Sequence, residues 1–164
     1  MQRILIIGLN GSGKSTLANK LGKILGLDVF HLDKFYYKPG WQAVEKEEWS
    51  SIVKTLLEKE RWIIDGTYPS SLDRRIARSD TIIFLNFNKY RCLYRIIARS
   101  FDKVQPFDRP DGDFHKISWH LVKKVILYPK RKMLEKLENL GESKKIIILN
   151  NDREVSAYLA TLVK

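Results

Sequence analysis

The feature that most constrains this chain lies at its start. An apolar run, "RILIIGL" (3–9), feeds into Gly8-Leu9-Asn10-Gly11-Ser12-Gly13-Lys14-Ser15, and an amphipathic stretch, "KSTLANKLGKILG" (14–26), follows. A continuous apolar run suits a parallel strand covered on both faces. The G-x4-G-K-S spacing is that of a phosphate-binding loop, and it stands here in its required context between a strand and a helix. Glycines let the backbone curl so that successive N–H groups point at phosphate oxygens, and the helix adds its positive N-terminal end. Gly8, Asn10, Gly11, Ser12 and Gly13 are the expected cradle for ATP. Lys14 reaches the β- and γ-phosphates, Ser15 holds Mg²⁺ through its hydroxyl, and Thr16 touches the α-phosphate.

The rest of the chain alternates strand and helix. Strands are expected at 28–33, 61–66, 81–87 and 144–150, and helices at 43–60, 69–79, 89–101 and 153–164. A long helical stretch, 114–140, carries Pro129 and is expected to kink there. The segment 102–113, with two prolines, a glycine and four aspartates, reads as a loop or short lid. Such alternation implies an α/β architecture with a parallel sheet, whose ligands sit at the carboxyl ends of the strands. No internal repeat is visible, and 164 residues suit one domain with a buried core.

The loop does not name the reaction. The base-reading Asn/Thr-Lys-x-Asp strand end of GTPases is missing, because the fourth strand ends in Asn86-Phe87-Asn88-Lys89. Motor ATPases need more chain. A kinase of small molecules is the expected class. Asp65 ends the strand "WIIDG", where an acid orders Mg²⁺ beside the loop serine. Asp33 ends the second strand in "FHLDKFYY", where it accepts a proton from an acceptor hydroxyl or binds metal. His31 alternates with Phe30 and Leu32 and reads as packing. Phe35, Tyr36, Tyr37 and Trp41 form either a wall for an acceptor or a cover for the core edge.

Arginines supply the anion-binding capacity. Arg91, Arg95 and Arg99 share one helix face at four-residue spacing, a single-sign stripe suited to phosphate. Arg109 lies in the lid segment, placed to close over a transferring group. Arg74 and Arg75 follow the third strand, placed to grip an acceptor phosphate. The candidate acceptor contacts are thus Asp33, Trp41, Tyr68, Arg74 and Arg75, and the candidate catalytic groups are Lys14, Asp33, Arg95, Arg99 and Arg109. Asp65 and Ser15 are the candidate metal ligands.

Net charge is +11, and residues 89–145 hold 15 Lys and Arg against 7 Asp and Glu. That excess suits either a nucleic acid or polyanionic small molecules. Apolar residues interleave with the basic ones at 119–126, so part of that helix must face the core, and the small molecule is favoured. No apolar run reaches the roughly 18 residues of a membrane span. The first strand begins with no signal peptide before it, and Cys92 is the only cysteine. A cytoplasmic protein with a reduced thiol is expected.

The elements "GLNGSGKSTLANKLG", "FHLDKFYYKPGW", "WIIDGTY" with "LDRRIARSDTIIFL", and "CLYRIIARS" occur in that order. Together they resemble the adenylate kinase-related P-loop proteins named as DNA topology modulation proteins, to about residue 132. The resemblance implies a nucleoside monophosphate kinase-like three-layer fold, with a five-stranded parallel sheet in the order 2-3-1-4-5. It also implies ATP binding and phosphotransfer, or alternatively an ATP-binding regulator associated with nucleic acid. It places Asp33 and Asp65 near metal and acceptor, Arg75 near the acceptor, and Arg95 and Arg99 at the lid. Adenylate kinases carry Phe-Pro-Arg after the Asp-Gly pair, where this chain has Thr67-Tyr68-Pro69. The arginine for an AMP phosphate is missing at its usual place, and Arg74 or Arg75 would have to substitute.

Overall fold

The computed structural model describes residues 1–38, 42–101 and 119–163. Trp41, Arg109 and the expected lid at 102–113 lie outside the described residues. The first strand, β1 (Arg3–Gly8), is the central strand of a five-stranded sheet. The others are β2 (Val29–His31), β5 (Trp62–Asp65), β6 (Thr81–Leu85) and β7 (Lys145–Leu149). A short antiparallel hairpin, β3 (Tyr37–Lys38) with β4 (Gln42–Ala43), occupies a stretch that the sequence reads as a loop. The large sheet runs β2-β5-β1-β6-β7 with every pairing parallel. Counted among themselves, the five strands stand in the expected order 2-3-1-4-5.

Alternation along the strands explains the layers. Successive side chains point to opposite faces of a sheet. Leu5, Ile7, Ile64, Ile82 and Phe84 enter one buried cluster, and Ile4, Ile6, Ile63, Ile83 and Leu85 enter the other. The first face is covered by α3 (Lys46–Glu58), α4 (Pro69–Arg78) and α7 (Lys130–Glu138), through Trp49, Val53, Leu72, Ile76, Met133 and Leu137. The second is covered by α1 (Lys14–Leu25), α5 (Lys89–Phe101), α6 (Trp119–Ile126) and α8 (Asp152–Ala160), through Leu17, Leu21, Cys92, Ile96, Val125 and Val155. The result is a three-layer α/β sandwich.

Two further local expectations change. The second strand stops at His31, and 32–36 form a short helix, α2 (Leu32–Tyr36), so Asp33 sits in a first helical turn rather than in a strand end. The expected kink at Pro129 is a break: α6 ends at Ile126 and α7 starts at Lys130 with Pro129 as its N-cap. A ring without an N–H cannot continue the helical ladder, and at a helix start that loss costs nothing. No helix among the described residues is long and apolar enough to cross a membrane.

Asp80 ties the starts of β1 and β6 together. Its Oδ2 accepts from the Gln2 and Arg3 amides, each at 2.8 Å, and its Oδ1 accepts from Thr81 Oγ1 at 2.7 Å. Burial works against the charged carboxyl, but the Thr81 hydroxyl and the two amides outweigh it and hold Asp80 below the usual carboxylate range. The folded value lies below the unfolded one. The stabilisation is therefore full above about pH 4 and is lost as pH falls through the folded value. Asp80→Asn is expected to lower the thermal midpoint by about 3 °C at pH 7, a small effect because the group is part-exposed. The gap to the wild type should narrow in melts as pH falls below about 4.

Candidate phosphoryl-transfer site

The carboxyl end of β1 turns into α1 through the glycine loop. Gly11 shows why the loop needs glycine: its φ is +80°, and a Cβ there would lie 2.5 Å from the Cys92 carbonyl oxygen of α5. The backbone of α5 therefore packs directly against the loop. Gly13, the N-cap of α1, offers no side chain to the first amides of the helix. Those amides keep their capacity for an anion. Lys14 Nζ donates to the Leu9 carbonyl at 2.8 Å, which draws the ammonium over the loop. Ser12 is 2 % exposed, and its hydroxyl has no hydrogen-bond partner among the described residues.

Asp65, at the end of β5, is 3 % exposed. In the parallel register His31 of β2 stands beside it. His31 Nδ1 lies 3.1 Å from Asp65 Oδ1, and Nε2 lies 3.3 Å from Asn19 Oδ1 of α1. An ionised carboxylate only accepts, so Nδ1 carries the proton in this pair. Asp65 Oδ2 is buried without a hydrogen-bond partner among the described residues. Buried polar atoms are ordinarily satisfied. Two such atoms, Ser12 Oγ and Asp65 Oδ2, with an uncapped helix start and Lys14, make a donor and acceptor set that fits a nucleotide phosphate with a hydrated divalent cation. The packing expected of His31 is half of its role; the sequence reading missed its bond to Asp65.

Beyond Asp65 the chain makes the turn 66–68. Thr67 Oγ1 donates to the Gly8 carbonyl at 2.9 Å. Tyr68 OH donates to Asp33 Oδ1 at 2.5 Å. Burial, and then the Asp33 carboxylate beside it, holds the Tyr68 phenol far above its ordinary value, so it stays a donor at any working pH. Its ring lies 4.7 Å from Tyr36 and 5.0 Å from Trp49, centroid to centroid. Of the expected aromatic wall, Tyr36 thus belongs to a packed cluster, and Phe35 packs on Phe30.

Arg75, expected as an acceptor contact, lies inside the fold. It is 0 % exposed, and its guanidinium donates to the carbonyls of Gly66, Thr67 and Tyr68 at 2.6, 2.8 and 2.9 Å, and to Ser71 Oγ at 3.2 Å. Those bonds engage four of its five N–H donors within the protein. Burial pulls Arg75 down to about 9, which leaves it charged at neutral pH. Arg74 is exposed and donates to Ser50 Oγ at 3.0 Å.

The arginine stripe is also corrected. Asp152, at the start of α8, pairs with both Arg91 and Arg95, and accepts from Arg95 Nη2 with both oxygens at 2.6 and 2.7 Å. Two of the three arginines are therefore paired with a carboxylate from another helix. Arg95 holds Asp152 below the usual carboxylate range. An Arg95 terminal nitrogen still lies 4.0 Å from where a Gly13 Cβ would stand, so the guanidinium flanks the phosphate loop. Arg99 is half-buried and has no ion pair among the described residues. In the basic half, Lys136 pairs with Asp73, Arg131 with Glu135, and Val125 is buried. These pairings reduce the charge a nucleic acid would meet.

No family model and no curated protein matches the sequence. Solved structures do match over nearly the whole chain. A gluconokinase from Sinorhizobium meliloti 1021 is 18% identical, with a TM-score of 0.56, covering 99% of this chain and 93% of its own. A shikimate kinase from Aquifex aeolicus vf5 is 20% identical, with a TM-score of 0.58, covering 98% and 95%. A shikimate kinase from Bacteroides thetaiotaomicron is 17% identical, with a TM-score of 0.54, covering 98% and 95%. The chain has the α/β fold, with a five-stranded parallel sheet, of these P-loop kinases.

Proposed function

We propose that the chain is an ATP-dependent phosphotransferase acting on a nucleotide, a nucleoside or another small acceptor. The observation that carries the reading is the 66–68 turn. It joins the Gly8 peptide of the phosphate loop to the Asp33 carboxylate through two side-chain hydrogen bonds. A phosphate cradle and an acceptor-side carboxylate thus share one sheet edge, where ligands of parallel sheets bind. The names of the structural neighbours, gluconokinase and shikimate kinase, support a small acceptor. The resemblance to adenylate kinase-related proteins of the DNA topology modulation type supports the same donor.

The loop amides and Lys14 bind the β- and γ-phosphates. Ser15 and Asp65 hold Mg²⁺, which when bound neutralises charge on the phosphate oxygens. Arg95, with Arg99, faces the charge that spreads over the transferring group. Asp33 orients an acceptor hydroxyl and takes its proton, while Arg74 and Tyr68 line the acceptor side. Catalysis by such a site is positioning and electrostatics, and no protein nucleophile is required.

The test is an acceptor panel with ATP and Mg²⁺: sugars, sugar acids, polyols, nucleosides and nucleoside monophosphates, with ADP release measured for wild type and Lys14→Ala. At least one acceptor should stimulate ADP release in wild type only. If none raises it above the Lys14→Ala level, the kinase reading is wrong.

A further inference from the structure

Asp33 is exposed and belongs to a five-residue helix. A carboxylate that serves an in-line transfer must be held in place, because a misplacement of about 1 Å can cost about 10²-fold in rate. Something must fix it, and the fold supplies a fixed object beside it. Three consecutive carbonyls, those of Gly66, Thr67 and Tyr68, converge on the one buried guanidinium of Arg75. Gly66 has φ +121°, and a Cβ there would lie 3.1 Å from Leu32 Cβ and 3.2 Å from Tyr68 Cδ2. The turn is therefore pressed against the α2 residue that precedes Asp33. Its amide end is also held, because the Gly66 N–H donates to the Ile6 carbonyl of β1 at 3.2 Å. Pro69 at the first position of α4 fixes the exit.

We infer that this turn is a rigid strap that sets the phosphate loop and the Asp33 carboxylate in one fixed relation, with Thr67 and Tyr68 as positioning residues at its two ends. The inference rests on the phosphotransfer reading above. Thr67 holds the Gly8 carbonyl at the root of the loop, so its end of the strap governs how the cradle is presented to the nucleotide. Tyr68 has its ring immobilised between Tyr36 and Trp49, and its hydroxyl carries that immobility to Asp33. Neither residue needs to touch a reacting atom. The buried arginine is the device that lets a three-residue turn be stiff: all three carbonyls are tied to one guanidinium, and that of Tyr68 also accepts from the Ser71 N–H.

The experiment uses the full chain and isosteric variants that keep the packing: Tyr68→Phe, Thr67→Val, Asp33→Asn, and Tyr68→Phe with Asp33→Asn. Affinity is read with the fluorescent analogue mant-ATP in Mg²⁺. The kcat and KM are read with the acceptor identified by the panel, and thermal melts monitor folding. Tyr68→Phe should leave mant-ATP affinity within about twofold and lower kcat by about 30-fold. In the Asp33→Asn background the same change should cost less than about twofold, because Tyr68 acts through that carboxylate. Thr67→Val should weaken mant-ATP binding about fivefold. The strap is overturned if Tyr68→Phe turns over at the wild-type rate, if its effect persists in full without the Asp33 carboxylate, or if Thr67→Val binds mant-ATP as wild type does. Failure of the phosphotransfer reading has a different signature. Wild type and Lys14→Ala would then be alike in mant-ATP binding and ADP release, and the positioning role would fall with it.

Discussion

Asp65→Asn is expected to lower the phosphoryl-transfer rate by about 10²-fold, with little change in the amount of folded protein. Asparagine keeps the shape, and its carbonyl oxygen can still accept from His31 Nδ1, which lies 3.1 Å from the present Oδ1. What it removes is the negative charge and the acceptor at Oδ2, the buried atom that has no hydrogen-bond partner among the described residues. The loss should therefore show in the metal dependence before it shows in nucleotide affinity. Half-saturating Mg²⁺ for mant-ATP binding should rise about tenfold. The buried Arg75 guanidinium feels the Asp65 charge, so a thermal melt belongs beside the kinetics. Unchanged Mg²⁺ dependence in a well-folded variant would move the metal's acid elsewhere, with Asp33 the next candidate.

How much of this was legible in the chain depends on sequence distance. The phosphate loop is written within 8 consecutive residues between a strand and a helix, and it folds where the sequence places it. The continuous apolar runs of β1 and β6 lie inside the sheet, where both faces are covered, whereas the similar run of β7 lies at its edge with Ile148 exposed. Asp65 was legible as an acid at a strand end. Its partner was not: His31 lies 34 residues away and meets it only because β2 and β5 are neighbours in register. The arginine stripe on α5 was correctly assigned to one helix face, but Asp152, 57 residues beyond Arg95, supplies the sign that the stripe lacked. Helix periodicity says which residues share a face and nothing about what faces them. The break at Pro129 shows a different limit. The missing N–H is legible, but whether the chain kinks or stops depends on where the next helix must pack, and Met133 and Leu137 of α7 are buried in the cluster with Leu72 and Ile76. Asp33 was read one step too far along a strand because α2 is too short to leave a periodic signal.

Adjacent arginines give the second large effect, and the contrast between them decides their roles. Arg75→Met should destabilise the protein by about 4 kcal/mol, a fall of roughly 12 °C in the thermal midpoint for a chain of this size. Methionine fills most of the volume but supplies no donor to the three carbonyls of Gly66, Thr67 and Tyr68. Arg75→Lys should recover less than half of that loss, because an ammonium is a point charge and cannot reproduce a planar fork that reaches three acceptors and Ser71 Oγ together. Arg74→Ala should cost less than about 0.5 kcal/mol, since that side chain is exposed and its one bond is to Ser50 Oγ. Parallel thermal melts of the three variants check the ranking. If Arg75→Met melts with the wild type, the buried fork is not what holds the turn. If the ranking stands, the pair "RR" at 74–75 divides its work: Arg75 holds the fold, and Arg74 is the arginine with capacity to reach an acceptor. In that case Arg74→Ala should raise the acceptor KM while leaving the melt unchanged.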